Sequence, residues 1–246
     1  FITDLNGNLL SNFDAGAATS KAVTGTFSGG QALYYRVRAS NSSGDSVSSL
    51  AQTVTITEAT EKNYVNSITS GSTTWSGAAD WSVATAPVSA VKTTVTFDGL
   101  LTGALSANND LGGNFILNGL NIANTGTGSL GVTGGTLQFA TNTVKTPNVA
   151  PQISFANVPA ITQTISNNLQ LDTNLTVSQP GGTTVIATLG GTISGVGGLS
   201  KSGGGPVVLS NTTNSFSGAV SITNGSLTVA ALGNSGSNSQ LGSSGN

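Results

Sequence analysis

The chain has 246 residues, room for one large domain or two ordinary ones, with 34 glycines, seven basic against nine acidic residues, and no cysteine, methionine or histidine. The missing Cys and His exclude thiolate and imidazole metal sites, a cysteine nucleophile and a Ser–His triad. A net charge of −2 carried by scattered residues cannot neutralise a phosphate backbone, so nucleic acid is not an expected partner.

Ser, Thr, Asn and Gly make up roughly half the chain, a bias that in a less apolar sequence would signal a flexible linker. Here 37% of residues are hydrophobic and fall in short alternating runs such as Val95-Thr96-Phe97, Leu137-Gln138-Phe139, Leu169-Gln170-Leu171 and Val220-Ser221-Ile222. Period-two patterning rich in Val, Ile, Thr and Phe predicts strands with one buried face. Gly and Asn recur too often, and helix formers are too scarce, for a helix of useful length. The expected fold class is all-β. No run approaches the eighteen or so apolar residues of a membrane span, and no basic, apolar leader opens the chain. A chain that starts at Phe1 and lacks Met throughout reads as a piece of a longer precursor. The uncharged, Cys-free composition suits a bacterial extracellular or cell-surface protein.

Residues 1–58 form the first segment. Gln31–Asn41 predicts an alternating strand with Tyr34 and Tyr35 paired, Ser42-Ser43-Gly44-Asp45 a turn, and Gln52–Thr57 a second strand. Tyr35, Val37 and Ala39 share one side, and Tyr34, Arg36 and Arg38 the other, the usual place for a solvated stripe. This hairpin, with Ser20-Lys21-Ala22-Val23-Thr24-Gly25 before it, resembles the closing half of a fibronectin type III domain. The resemblance implies a partial β-sandwich, its first strands truncated or supplied by another segment. Residues 59–73, with Glu58, Glu61 and Lys62 around their start, are expected to be a polar linker.

From residue 74 a second pattern begins with Trp75, Trp81, Pro87 and Phe97-Asp98-Gly99. Short strands follow at Asn114–Leu117, Ser129–Val132, Thr136–Ala140, Gln152–Phe155, Leu175–Ser178 and Thr184–Leu189. The most regular stretch has Gly195, Gly197, Gly198, Leu199, Lys201 and Gly203, then Leu209-Ser210, Asn214, Phe216, Gly218, Gly225 and Leu227. These positions resemble the autotransporter-associated β-strand repeat, also called the passenger-associated transport repeat. One departure is Pro206, where the pattern usually has an extended polar residue. The resemblance implies a right-handed parallel β-helix over 74–246, with those residues in structural roles.

Physical reasoning supports stacked coils without the resemblance. A short strand buries too few side chains to offset ordering at about 1–2 kcal/mol per residue. Piling coils on one another extends a single apolar column. The column is expected to hold Val95, Phe97, Phe115, Leu117, Leu120, Ile122, Leu130, Val132, Leu137, Phe139, Ile153, Phe155, Ile186, Leu199, Leu209, Phe216, Ile222 and Leu227. Glycines would turn the corners, and Asn118, Asn124 and Asn224 would do likewise or form ladders between coils.

Little catalytic chemistry is on offer. Gly126–Gly131 satisfies Gly-x-Gly-x-x-Gly, but a strand follows where a dinucleotide site needs a helix. Gly203-Gly204-Gly205 lacks the ending of a phosphate loop. Glycan-cleaving β-helices need converging carboxylates, with or without calcium. Asp80, Asp98, Asp110 and Asp172 are far apart in sequence and flanked by turn residues. Asp172-Thr173-Asn174 is a faint calcium-loop pattern without its Gly or Glu. No catalytic residue, metal or cofactor is therefore expected. Trp75 and Trp81 either cap the first coil or stack on sugars. The expected role is a non-catalytic structural or adhesive segment, with head-to-tail association into fibres through strand edges. The alternative is a glycan-binding module.

Overall fold

Strands occupy most of the alternating runs in the computed structural model, which describes residues 2–3, 9–11, 32–47, 49–50, 52–55, 62–145, 147–156, 162–181, 186–232 and 237–243. The chain divides into two units, residues 1–60 and 61–246.

The first unit is antiparallel. It contains β1 (Ile2–Thr3), β2 (Leu9–Ser11), β3 (Ala32–Tyr35), β4 (Ser40–Asn41), β5 (Gly44–Asp45) and β6 (Gln52–Thr55), with a sheet in the order β2-β1-β3-β6. The expected pairing is present: β3 meets β6 from Ala32↔Thr55 to Tyr35↔Gln52. The first strand, however, stops at Tyr35. Ser40 and Asn41 fold instead onto Gly44 and Asp45 across the Ser42-Ser43 turn. Asn41 Oδ1 accepts the Ser43 N–H at 2.8 Å, which favours turning over extension. Arg38 and Asp45 pair at 2.7 Å, but the pair is half-exposed and contributes little. The Ser20–Gly25 stretch lies outside the described residues.

The second unit is parallel and winds in coils. The first coil contributes β7 (Lys62–Asn66) and β8 (Gly71–Thr74), followed by a 3₁₀ turn at Ala78–Asp80. The second has β9 (Thr93–Phe97), β10 (Leu100–Leu101), β11 (Leu105–Asn109) and β12 (Phe115–Leu117). The third has β13 (Gly119–Ile122), β14 (Thr125–Gly126), β15 (Leu130–Gly134) and β16 (Leu137–Phe139). The fourth has β17 (Gln152–Phe155), β18 (Thr162–Ile165) and β19 (Leu169–Leu171), and the fifth has β20 (Leu175–Ser178), β21 (Ile186–Leu189) and β22 (Ile193–Gly195). The last two coils give β23 (Leu199–Ser202), β24 (Pro206–Leu209), β25 (Val220–Ile222) and β26 (Ser226–Val229).

Successive coils build three faces. The first face runs β7-β9-β13-β17-β20-β23-β25, the second β8-β11-β15-β18-β21-β24-β26, and the third β12-β16-β19-β22. Seven strands at the usual spacing make each long face about 29 Å tall. The result is all-β, parallel and solenoid-like.

Register turns the alternation into interior columns. On the first face Tyr64, Val95, Leu120, Ile153, Val177, Lys201 and Ile222 stand over one another. On the second, Thr73, Ala107, Val132, Ile165, Leu189, Leu209 and Val229 do so. Phe115, Leu137, Leu169 and Ile193 form the equivalent column on the third. Full burial of each large apolar side chain stabilises by about 1.5–3 kcal/mol.

Four expectations need correction. Of the expected linker, residues 62–73 belong to the coils: Lys62–Asn66 pairs with Thr93–Phe97 and Gly71–Thr74 with Leu105–Asn108, so the winding starts before residue 74. Ile186 points outward, because the register puts Ala187 and Leu189 inside. Ile222 has the inward phase but is 53% exposed, since it belongs to the seventh coil and among the described residues no strand lies over it. Leu227, on the same coil, is only partly buried. The other column residues expected are buried. Pro206 is the first residue of β24, where a missing N–H is tolerated.

Gly195 shows how tightly the coils approach. Its φ is +106°, and a Cβ there would collide with the Leu171 backbone. Gly195→Ala is expected to destabilise the second unit by more than about 1 kcal/mol, measured as a lower urea midpoint.

Candidate functional site

The four aspartates of the second unit each hold a neighbouring group. Asp80 accepts the Thr73 hydroxyl at 2.6 Å, and Asp98 that of Ser67 at 2.6 Å. Asp110 accepts the Ser76 hydroxyl at 2.5 Å and the Ser76 N–H at 2.8 Å. The Ser76 hydroxyl, then its N–H, hold the Asp110 carboxyl below the usual carboxylate range. Asp172 accepts Gln138 Nε2 at 2.7 Å and Gln170 Nε2 at 3.1 Å. Each carboxylate thus fastens local structure, and among these bonds no two share a partner. Asn174 Oδ1 accepts the Gly198 N–H at 2.8 Å, tying adjacent coils together. Among the described residues no three His, Cys, Asp or Glu side chains gather to hold a metal.

Trp75 and Trp81 are both buried, at 0% and 3% exposure. Trp75 meets Phe115 edge-on at 5.1 Å between ring centres, and Trp81 meets Trp75 at 6.0 Å and Tyr64 at 6.5 Å. Trp81 Nε1 donates to Trp75 O at 3.1 Å. The two indoles close the interior at the first coil and leave no open ring face for a sugar, which removes them as stacking platforms. Ser82 then covers the first edge: its N–H donates to Val65 O at 2.9 Å, and its hydroxyl accepts the Val65 N–H at 3.4 Å.

The Gly195–Leu227 positions lie in the fifth to seventh coils. Leu199, Leu209 and Phe216 are buried, and Leu227 partly so. Gly197, Gly198 and Gly218 meet where two coils nearly touch, so a Cβ on any of them would strike backbone. Asn214 is buried: its Oδ1 accepts the Ile193 N–H at 2.8 Å, and its Nδ2 donates to Gln240 O at 2.9 Å. Gly203 and Gly225 sit at the corner between the first and second faces, in coils six and seven, with φ of +76° and +74°.

Lys201 is the least expected of these groups. It occupies the column between Val177 and Ile222 and is fully buried. Its ammonium donates to Ser202 O and Gly203 O, each at 2.6 Å, and to Asn224 O at 3.3 Å. Burial pushes its pKa down.

Two buried glutamines went unread in the sequence. Gln163 takes the column position between Leu130 and Ala187, and Gln179 follows β20 at the next corner. Neither side-chain amide has a hydrogen-bond partner among the described residues. Nothing in Thr-Gln-Thr-Ile marks Gln163 as inward except its phase relative to Ile165. An unpartnered buried polar group costs about 1–3 kcal/mol. Gln163→Leu, which restores the leucine of Leu105 and Leu130 to that column, is expected to stabilise by about 1–3 kcal/mol in urea titration.

Outside, the two long faces carry few charges. Thr96, Asn121, Ser154, Ser178 and Ser202 form one outward column of the first face. Thr96 Oγ1, Asn121 and Ser154 are linked by bonds of 3.3 and 2.7 Å. On the second face Ser72, Ser106, Gly131, Thr164, Thr188, Val208 and Thr228 align. No helix among the described residues is long and apolar enough to cross a membrane.

Comparison with models of known families, with curated proteins and with solved structures gave no match.

Proposed function

We propose that this chain is a non-catalytic structural and adhesive segment of a large secreted or surface-exposed bacterial protein. The observation that carries the reading is the pair of tall outward faces, columns mostly of hydroxyl and amide side chains, interrupted on the second face by Gly131 and Val208, with almost no charge. Such a surface suits many weak, neutral hydrogen bonds to a polymer or a second surface, and each aspartate of the coils is engaged in fastening a neighbouring residue. The resemblance of residues 195–227 to passenger-associated repeats supports secretion. It also supports right-handed winding, the hand of nearly all parallel crossovers. The β3–β6 pairing supports a fibronectin-like module ahead of the coils.

Adhesion is tested on beads carrying the full chain, applied to polysaccharide-coated and cell-wall-coated surfaces. The double variant Thr164→Asp/Thr188→Asp puts two carboxylates in one outward column. Its retention is expected to fall to that of bare beads while its circular dichroism is unchanged. Equal retention of variant and parent sinks the adhesive reading.

Fibre formation is the second element of the proposal. Among the described residues β25 and β26 pair on one side only, which leaves a template for further strands. The first edge is blocked at Val65 by Ser82, so head-to-tail growth requires residues 81–82 to swing aside. Electron microscopy over a concentration series is expected to show fibres that Ile222→Lys abolishes. A chain that stays monomeric at every concentration overturns the assembly.

A further inference from the structure

Two of the Asn-Gly pairs in this chain are described, and they stand in opposite environments. Asn118-Gly119 is closed: Asn118 is 6% exposed, its Nδ2 donates to Ala140 O at 3.0 Å and Val149 O at 2.9 Å, and Gly119 is held in β13 between Thr94 and Gln152. Asn224-Gly225 is open. Both residues are exposed, and they turn the corner that leads into β26. The Gly225 N–H donates to Asn224 Oδ1 at 2.8 Å, so the side-chain amide is folded back onto the nitrogen that would attack it. Glycine adds no Cβ to obstruct that approach. On the other carbonyl of the same residue, Asn224 O, rests the buried ammonium of Lys201 at 3.3 Å.

We propose that Asn224 is a site of spontaneous hydrolytic modification, converted through a cyclic imide chiefly to isoaspartate, with Lys201 directing the outcome. In the first step the Gly225 amide nitrogen gives its proton to water or hydroxide and bonds to Asn224 Cγ. The Cγ–Nδ2 bond breaks, and the nitrogen leaves as ammonia after taking a proton from water. Water then adds to one of the two imide carbonyls, whose bond to the Gly225 nitrogen breaks as that nitrogen takes back a proton. Addition at Cγ returns an aspartate in the normal chain. Addition at the former backbone carbonyl leaves the chain running through Cγ and frees the α-carboxylate. Overall one water is consumed and one ammonia released, with no change of oxidation state.

The position of Lys201 selects between the two openings. Its N–H polarises the former backbone carbonyl, not Cγ, and stabilises the oxyanion that forms there. The carboxylate released by that opening takes the place of an oxygen that already accepts from the ammonium. A cation held until then by neutral carbonyls gains a counterion. The isoaspartate also lengthens the corner by one backbone carbon. Gly225 lies so close to the Gly203 backbone that a Cβ there would clash, so the longer corner cannot keep this seat, and β26 loosens from β24.

The test is ageing of the full chain in neutral buffer, followed by peptide mapping and methylation of isoaspartate by an isoaspartyl methyltransferase. Asn224 is expected to show the mass increase of an amide-to-acid exchange while Asn118 keeps its amide. Hydrogen exchange should rise in Ser226–Val229 and stay unchanged in Leu105–Asn109. In Lys201→Met, or Lys201→Gln if the first variant fails to fold, the isoaspartate share is expected to drop to that of the urea-unfolded chain. An Asn224 that keeps its amide while the unfolded chain converts overturns the site, as does equal conversion of Asn118 and Asn224. An isoaspartate share unchanged without Lys201 overturns its directing role.

Discussion

Parallel pairing in fixed register between successive coils is the constraint on which the second unit depends. Its strands have two to five residues and bury at most four side chains each, too little for any of them to be stable alone. Stacking makes the floor of one coil the ceiling of the next. A slip of one residue would turn Val95 and Leu120 to solvent and put Thr96 and Asn121 inside, so every apolar column opposes it. The same register that builds the core lays out the polar columns outside. Interior stability and exterior display come from one pattern.

Corners are where this economy becomes difficult. Between faces the backbone leaves the ladder and its carbonyls need partners. Buried asparagines supply many of them. Asn118 bonds Ala140 O and Val149 O, Asn167 bonds Thr133 O and Gly135 O at 2.7 and 2.8 Å, and Asn124 bonds Gly99 O at 3.1 Å. A short amide reaches across one coil spacing without lengthening the chain, while glycine lets neighbouring corners approach. The high Asn and Gly content therefore has a local cause at the corners as well as a compositional one.

The apolar column was legible because its signal is local: Phe115-Ile116-Leu117 or Leu137-Gln138-Phe139 carries its phase within three residues. Three kinds of feature were not. Lys62–Asn66 has one large inward residue, Tyr64, next to an outward Val65 and otherwise polar neighbours, so it shows no apolar alternation although its backbone pairs fully with β9. Ile186 looked inward because isoleucine outweighs alanine in any local reading, yet the pairing of Ala187 with Gln163 and Val207 fixes the opposite phase. Whether Trp75 and Trp81 capped the coil or faced a ligand depended on Phe115 and Phe97, which are distant in sequence and reach the indoles only through the winding. Residue type predicted which groups matter. Partner and direction needed the register.

Lys201 shows what a cation inside such a column demands. Taking an ammonium out of water costs several kcal/mol, which isolated burial among Val177 and Ile222 would not return. Three carbonyls at the corner of the sixth and seventh coils restore much of it, because hydrogen bonds from a charged donor contribute about 1.5–3 kcal/mol each. Two of those oxygens belong to the sixth coil and one to the seventh, so the side chain reaches from inside the column to hold the seventh coil against the sixth. An apolar residue at this position would fill the column and leave those carbonyls without their donor. The lysine gives up some burial energy, and in return it secures the corner by which the seventh coil is attached.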